Sequence, residues 1–180
     1  VDAFALNGSL MLAWLESGAG DLDRARELLA KVDPDDLAAY DHGYLWLPTM
    51  VAAAGAAAAT GDAGWAEAAH AALSPYRGRN CVMGYASFLG AVDHHLGTLD
   101  AVLGRSDAAV DELESALERH RSLGARPFVA VSARWLANTL AERNRGDDRD
   151  RALLLHAEST ALDEELGLPS LPPSHSSLAG

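Results

Sequence analysis

Four turn signals, each a glycine at or just ahead of an acidic residue, recur along this 180-residue chain: Gly20-Asp21, Gly61-Asp62, Gly104 to Asp107, and Gly146-Asp147-Asp148. Successive glycines lie 41, 43 and 42 residues apart. A fixed period of this length marks a repeat array, in which each unit is one supersecondary element too small to bury its apolar face alone. Four units fill nearly the whole chain, so the expected organisation is a single helical-repeat domain over residues 1–166. From Gly167 the text turns rich in proline and serine and loses helical periodicity, and residues 167–180 are expected to form a flexible tail.

The surroundings of the glycines repeat too. Ala25, Ala66 and Ala109 each stand five residues after their glycine, and Ala152 stands six after Gly146. Leu12-Ala13 and Leu96-Gly97 precede theirs by seven to eight residues. Small side chains at such positions let two helices approach closely, which suits helix hairpins packed side by side. Pro34 and Pro75 follow the first two alanines by nine residues, where proline ends a second helix. First helices are thus expected at about 3–17, 40–60, 83–103 and 127–144, and second helices at about 22–31, 63–73, 107–123 and 149–166. In the third repeat Ala109, Val110, Leu113, Ala116 and Leu117 fall on one face, opposite a charged one. Asp21, Asp62, Ser106 and Asp148 occupy positions where a side-chain oxygen can cap the second helix. No stretch combines alternation with β-branched enrichment, and the chain contains no isoleucine, so the expected class is all-α.

Composition excludes several roles. Fourteen basic residues against 26 acidic ones give a net charge of −12, which opposes direct contact with nucleic acid or anionic lipid. The longest apolar run, 45–60, is broken by Pro48 and Gly55 and falls short of the roughly 20 residues of a bilayer span. Cys81 is the single cysteine, which suits a buried apolar role in a reducing, cytoplasmic setting. Val1 is not methionine and no basic-then-apolar leader precedes the pattern, so the chain is expected to be a segment of a longer protein.

Catalytic signatures are missing: there is no phosphate loop, no dinucleotide-binding glycine motif, no nucleophile elbow and no paired-histidine zinc motif. Asp93-His94-His95 is the most suggestive cluster, yet helical neighbours point about 100° apart and cannot readily share one ion. His42, His70, His120 and His156 lack ligand spacing. No catalytic residue, metal or cofactor is therefore expected. Arg77 and Arg79, and Arg143, Arg145, Arg149 and Arg151, form basic groups at helix junctions that suit pairing with this acidic chain. Aromatic residues are few and concentrate on the first helices, which line the concave face of helix-pair solenoids. A groove lined by Trp46, Tyr85, His94, Arg134, Trp135 and Asn138 would take a protein partner or a small effector.

The leucine-small pairs, the inter-helix glycines and the alanines after them resemble tetratricopeptide repeats in a long variant. The segments from Tyr85 to Arg105 and from Glu112 to Pro169 resemble the C-terminal repeat region of large actinobacterial regulators. Those proteins join an ATPase module to tetratricopeptide-like repeats, often with a LuxR-type DNA-binding domain or an adenylate-cyclase domain. The resemblance implies a non-catalytic sensor domain of a larger transcriptional regulator or, alternatively, a structural or oligomerising arm of a cyclase-type or other signalling ATPase. It transfers no ATP-binding, DNA-binding or cyclase residue, because no position here matches those motifs. An apolar flank left at either end of the array would favour a homodimer.

Overall fold

The four recurrent glycines all adopt left-handed backbone, with φ of +86° at Gly20, +70° at Gly61, +72° at Gly104 and +55° at Gly146. Only glycine enters this region without a Cβ penalty, so the period is a period of chain reversals. The computed structural model describes residues 3–40, 43–85 and 87–168. His42 and the expected tail from residue 169 onward lie outside the described residues.

Helices α1 (Ala3–Gly18) and α2 (Leu22–Leu29) flank Gly20, and a single turn, α3 (Asp36–Ala39), follows. Helices α4 (Trp46–Thr60) and α5 (Ala63–Leu73) flank Gly61, and a 3-10 turn containing Pro75 closes the pair at Ser74–Tyr76. Helices α6 (Val92–Val102) and α7 (Ser106–Ser122) flank Gly104, and α8 (Arg126–Arg143) and α9 (Asp148–Leu166) flank Gly146. Each pair packs as a hairpin, α4 contacts both α1 and α6, and α8 leans on α7. Helix makes up 75% of the described residues.

The small residues sit where close approach requires them. Ala25, Ala66 and Ala109 are fully buried and Ala152 nearly so. Helix α4 is buried around almost its whole circumference, which explains its run of alanines: a helix enclosed by neighbours has no room for long side chains. One apolar core runs from Leu10 through Met50, Leu73 and Leu96, and a second gathers Leu113, Leu136, Leu140 and Ala152.

Two of the four expected caps form. Asp21 accepts from the Arg24 N–H and Asp62 from the Trp65 N–H, both at 3.0 Å. Ser106 instead is the first residue of α7, and Arg105 at the cap position makes no side-chain bond to the helix. Asp148 opens α9, and its carboxylate accepts from the Arg145 N–H and the Arg143 guanidinium.

Two first helices start later than expected. Helix α4 begins at Trp46 instead of near residue 40, because Pro48 has no N–H to give and fits only the first turn. Helix α6 begins at Val92 instead of near residue 83. Ahead of it the chain forms an antiparallel hairpin of β1 (Asn80–Met83) and β2 (Ser87–Ala91), pairing Val82 with Phe88 and Met83 with Ser87, with a bulge between Asn80 and Val82. Gly84 and Gly90, with φ of +65° and +99°, are incompatible with the helix predicted through them. The strict all-α expectation is corrected to a mostly helical fold carrying one short hairpin.

Candidate functional site

The ends of α4 and α6 and the second half of α8 line an open cleft of about 350 Å³. Ala58, Thr60 and Gly61 come from the end of α4, Ala101 and Val102 from the end of α6, and Trp135, Asn138, Thr139 and Glu142 from α8. Ala58 and Ala101 stand at the same distance ahead of Gly61 and Gly104, whereas α8 contributes residues from its middle onward. Thr60 donates its hydroxyl proton to the Ala56 carbonyl at 2.8 Å, and Thr139 donates to the Trp135 carbonyl at 2.9 Å. What both hydroxyls offer the cleft is therefore acceptor lone pairs.

Of the six residues expected to share a groove, the structure brings together Trp135 and Asn138. Trp46 is buried at the start of α4 against the Tyr76 ring, with centroids 4.8 Å apart. Tyr85 projects fully into solvent from the hairpin turn. Arg134 bridges α8 to α9 through an ion pair with Asp163 and a 3.3 Å bond to Ser159. His94 belongs to a separate, buried cluster. The cleft residues that sequence inspection missed, Ala58, Ala101, Thr139 and Glu142 among them, are neither aromatic nor basic. Of these only Ala58 and Ala101 share a place in the repeat, three residues ahead of Gly61 and Gly104.

The buried cluster is built from α6, α7, α8 and the hairpin. The Ala91 N–H donates to His120 Nε2 at 2.9 Å, which fixes that nitrogen as the acceptor. The proton of neutral His120 therefore lies on Nδ1 and is given to Ser132 Oγ at 3.0 Å; Ser132 in turn donates to His94 Nδ1 at 2.9 Å. His95 donates from Nε2 to the Leu89 carbonyl. Phe88 and Phe128 close the cluster, their rings packed edge to face. Burial pushes His95 and His120 down to about 4, and burial together with the neighbouring imidazoles lowers His94 well below its ordinary value. Near neutral pH all three are uncharged, as a desolvated imidazole demands.

A serine between two imidazoles has the parts of a nucleophile and base, but Ser132 and His120 are wholly shielded from solvent. The bonds run from hairpin backbone to helix and clamp the hairpin on the bundle. Asp93 serves the same attachment by accepting from the Gly78 N–H at 2.9 Å and from Ser115 Oγ at 3.0 Å. Among the described residues no three His, Cys, Asp or Glu side chains are placed to hold a metal ion. Cys81 is buried, and burial pushes its thiol up to about 12, so it packs as an apolar side chain.

The basic groups at the junctions pair with acids about one repeat away. Arg77 meets Glu112, Arg143 and Arg145 meet Asp107, and Arg151 meets Glu114. Arg105 meets Glu67, Arg121 meets Glu158, and Arg126 meets Glu165. Most are solvent-exposed on at least one side, so each contributes little alone and together they tie successive hairpins in register. No described helix is long and apolar enough to cross a membrane. Comparison with known protein families, with curated proteins and with solved structures finds no match to this chain.

Proposed function

We infer that this chain is a recognition segment, a tetratricopeptide-like stack of helix hairpins that binds a protein partner or small effector within a larger transcriptional regulator. The observation that carries the reading is the cleft itself. It is formed jointly by the ends of α4 and α6 and the second half of α8, whereas the titratable cluster that would suit chemistry is closed to solvent. A surface shared by successive hairpins is how helical arrays recognise ligands. The resemblance of Tyr85 to Arg105 and of Glu112 to Pro169 to actinobacterial regulators supplies the larger context.

The test is a thermal-shift screen of the purified chain against peptide and metabolite collections, with each hit repeated on Ala101→Leu. Ala101 is half-buried at the cleft, and a leucine there fills it from the edge. Hits are expected to be lost while helical content is kept. Ligands that bind Ala101→Leu as well as the parent overturn the reading.

A second reading, an oligomerising arm, draws on the exposed Leu12 and Leu15 of α1 and Leu153 and Leu154 of α9. Light scattering over a concentration series separates the two. A strict monomer removes the arm, and a dimer dissolved by Leu15→Lys supports it.

A further inference from the structure

We propose that α1 is a dimerisation helix, whose outer stripe of Ala5, Gly8, Leu12 and Leu15 packs antiparallel on the same stripe of a second copy, about a two-fold axis level with Leu10. The inference rests on the oligomerising reading above and is independent of the cleft. It supplies the face, the partner and the symmetry.

Helix α1 is apolar all round but covered on one side only. Among its 16 residues Glu16 is the single charged one. Leu6, Leu10 and Ala13 are buried on the side that packs against α2 and α4. On the opposite side Ala5 is exposed, and Leu12 and Leu15 are 50% and 66% exposed. A surface helix ordinarily turns charge to water there, and a helix without a polar face ordinarily lies enclosed, as α4 does. The repeat gives the same answer. Leu12 and Leu15 stand eight and five residues ahead of Gly20; Ala53 and Ala56 hold those places ahead of Gly61, and Leu96 and Leu99 ahead of Gly104. All four of these counterparts are fully buried, in the core that α4 shares with α1 and α6. Within the chain this helix face is covered by helices, so a helix is the matching occupant outside it.

Gly8 indicates how near that helix comes. A glycine inside a helix is destabilising relative to alanine. At Gly55 and Gly97 a neighbour in the chain accounts for it, standing 2.3 Å and 2.7 Å from where a Cβ would be. A Cβ on Gly8 would meet nothing within 4 Å. The hollow is left on the outer stripe, one turn from the protruding Leu12.

The stripe fits a second copy because it is complementary to itself. Its residues are three, four and three apart, a spacing that reads the same in both directions, with small side chains at one end and large ones at the other. A two-fold level with Leu10 sets Leu12 over Gly8 and Leu15 over Ala5 of the other copy, and each contact occurs twice. Knobs meet hollows along the whole stripe, as an isologous interface requires. A parallel pairing would set leucine on leucine and leave Gly8 facing a gap. Charge favours the same face: each copy carries −12 and repels the other over most of its surface, whereas the stripe is uncharged. The antiparallel pairing also keeps the two Glu16 residues about 18 Å apart along the helices, at opposite ends of the contact.

Sedimentation velocity on the 180-residue chain from about 1 to about 500 µM tests the proposal, with circular dichroism to verify that each variant folds. The parent is expected to pass from one chain to two and no further. Leu12→Lys and Leu15→Lys should each weaken the dimer about tenfold or more, since they bury a charge at the contact. Gly8→Leu is the deciding variant: it adds apolar surface but fills the hollow, and it should weaken the dimer about tenfold. Leu154→Lys, at an exposed leucine of α9, should change the affinity less than about twofold. Mild oxidation of mixed Ala5→Cys and Leu15→Cys chains should cross-link them. Ala5→Cys alone should stay uncross-linked, its two copies lying about 15 Å apart along the helices. Cys81 is buried and does not compete. A Gly8→Leu chain that dimerises as well as the parent, cross-links between two Ala5→Cys chains, or growth beyond two chains overturns the proposal. A dimer dissolved by Leu154→Lys and untouched by the α1 variants overturns it while the oligomerising reading stands. A strict monomer removes both and leaves the recognition cleft as it was.

Discussion

Gly97 of α6 lies in direct contact with Leu113 of α7: a Cβ built on Gly97 would stand 2.7 Å from Leu113 Cγ and 3.1 Å from the Leu113 nitrogen and the Ala109 oxygen. Two of these three atoms are backbone, so a substitution cannot be absorbed by turning a side chain. Gly97→Ala would gain about 1 kcal/mol of helix propensity and lose about 1–3 kcal/mol to overpacking. A lowered urea midpoint at unchanged slope is the expected result. A variant as stable as the parent would show that α6 and α7 do not meet this closely. Gly55 is as closely placed, because its Cβ would strike the Trp14 indole at 2.3 Å, a ring packed against the apolar core. Gly55→Ala should likewise lower the urea midpoint.

The histidine cluster sets a pH dependence. His95 and His120 titrate at about 4 in the folded chain against an ordinary value of 6.5, and His94 is lowered too. Between these values the unfolded chain binds more protons than the folded one. The histidines' contribution is therefore fully present above about pH 6.5 and falls as pH drops toward 4. A shift of this size at His95 alone is worth on the order of 3 kcal/mol. Asp148, held down to about 2 chiefly by its bonds from Arg143, loses its contribution at lower pH and does not shape this window. Denaturation series at pH 7.5, 6 and 5 check the slope, which should flatten in His95→Gln. A flat profile in the parent would mean that the imidazoles are not sealed from water.

Ser132 connects two of these rings, so its hydroxyl has no substitute. In Ser132→Ala the His120 Nδ1–H and the His94 Nδ1 lose their shared partner inside the protein. An unsatisfied buried polar group costs about 1–3 kcal/mol, and the variant should be destabilised by that amount in chemical denaturation. The Ala91 amide, bonded to the far nitrogen of His120, should lose hydrogen-exchange protection in the variant as the hairpin opens more readily. Neutral behaviour in both measurements would remove the clamp.

What could be read from the sequence followed from local rules. Gly20, Gly61, Gly104 and Gly146 mark left-handed reversals, and the alanines after them mark helix contacts, because each outcome depends on the residue and its near neighbours alone. Helix α5 was legible to the residue for this reason, with Asp62 at its start and Pro75 beyond its end. The hairpin was not legible. Its strands are four and five residues long, too short to display alternation, and its stability comes from Phe88 against His120 and Phe128, contacts that span up to 40 positions. The groove residues divided along the same line. Trp46 and His94 looked like surface because they are aromatic or polar on a first helix, and tertiary packing buried both. Trp135 and Asn138 share the cleft because they lie one turn apart in the second half of α8, which faces the ends of α4 and α6.

The caps supply a prediction in which two sites chosen by the same sequence rule should behave differently. Asp62 accepts from the Trp65 N–H at 3.0 Å and satisfies one of the donors left over at the start of α5. Removing it in Asp62→Ala should cost about 1 kcal/mol. Ser106 precedes α7 by the same logic of spacing, but it has moved one position into the helix and leaves the cap to Arg105, which makes no side-chain bond there. Ser106→Ala should then stay within about 0.5 kcal/mol of the parent, since alanine is a good helix former and no hydrogen bond is lost. Paired thermal melts of the two variants check the difference. Equal destabilisation would place a working cap at Ser106, and with it a different start for α7.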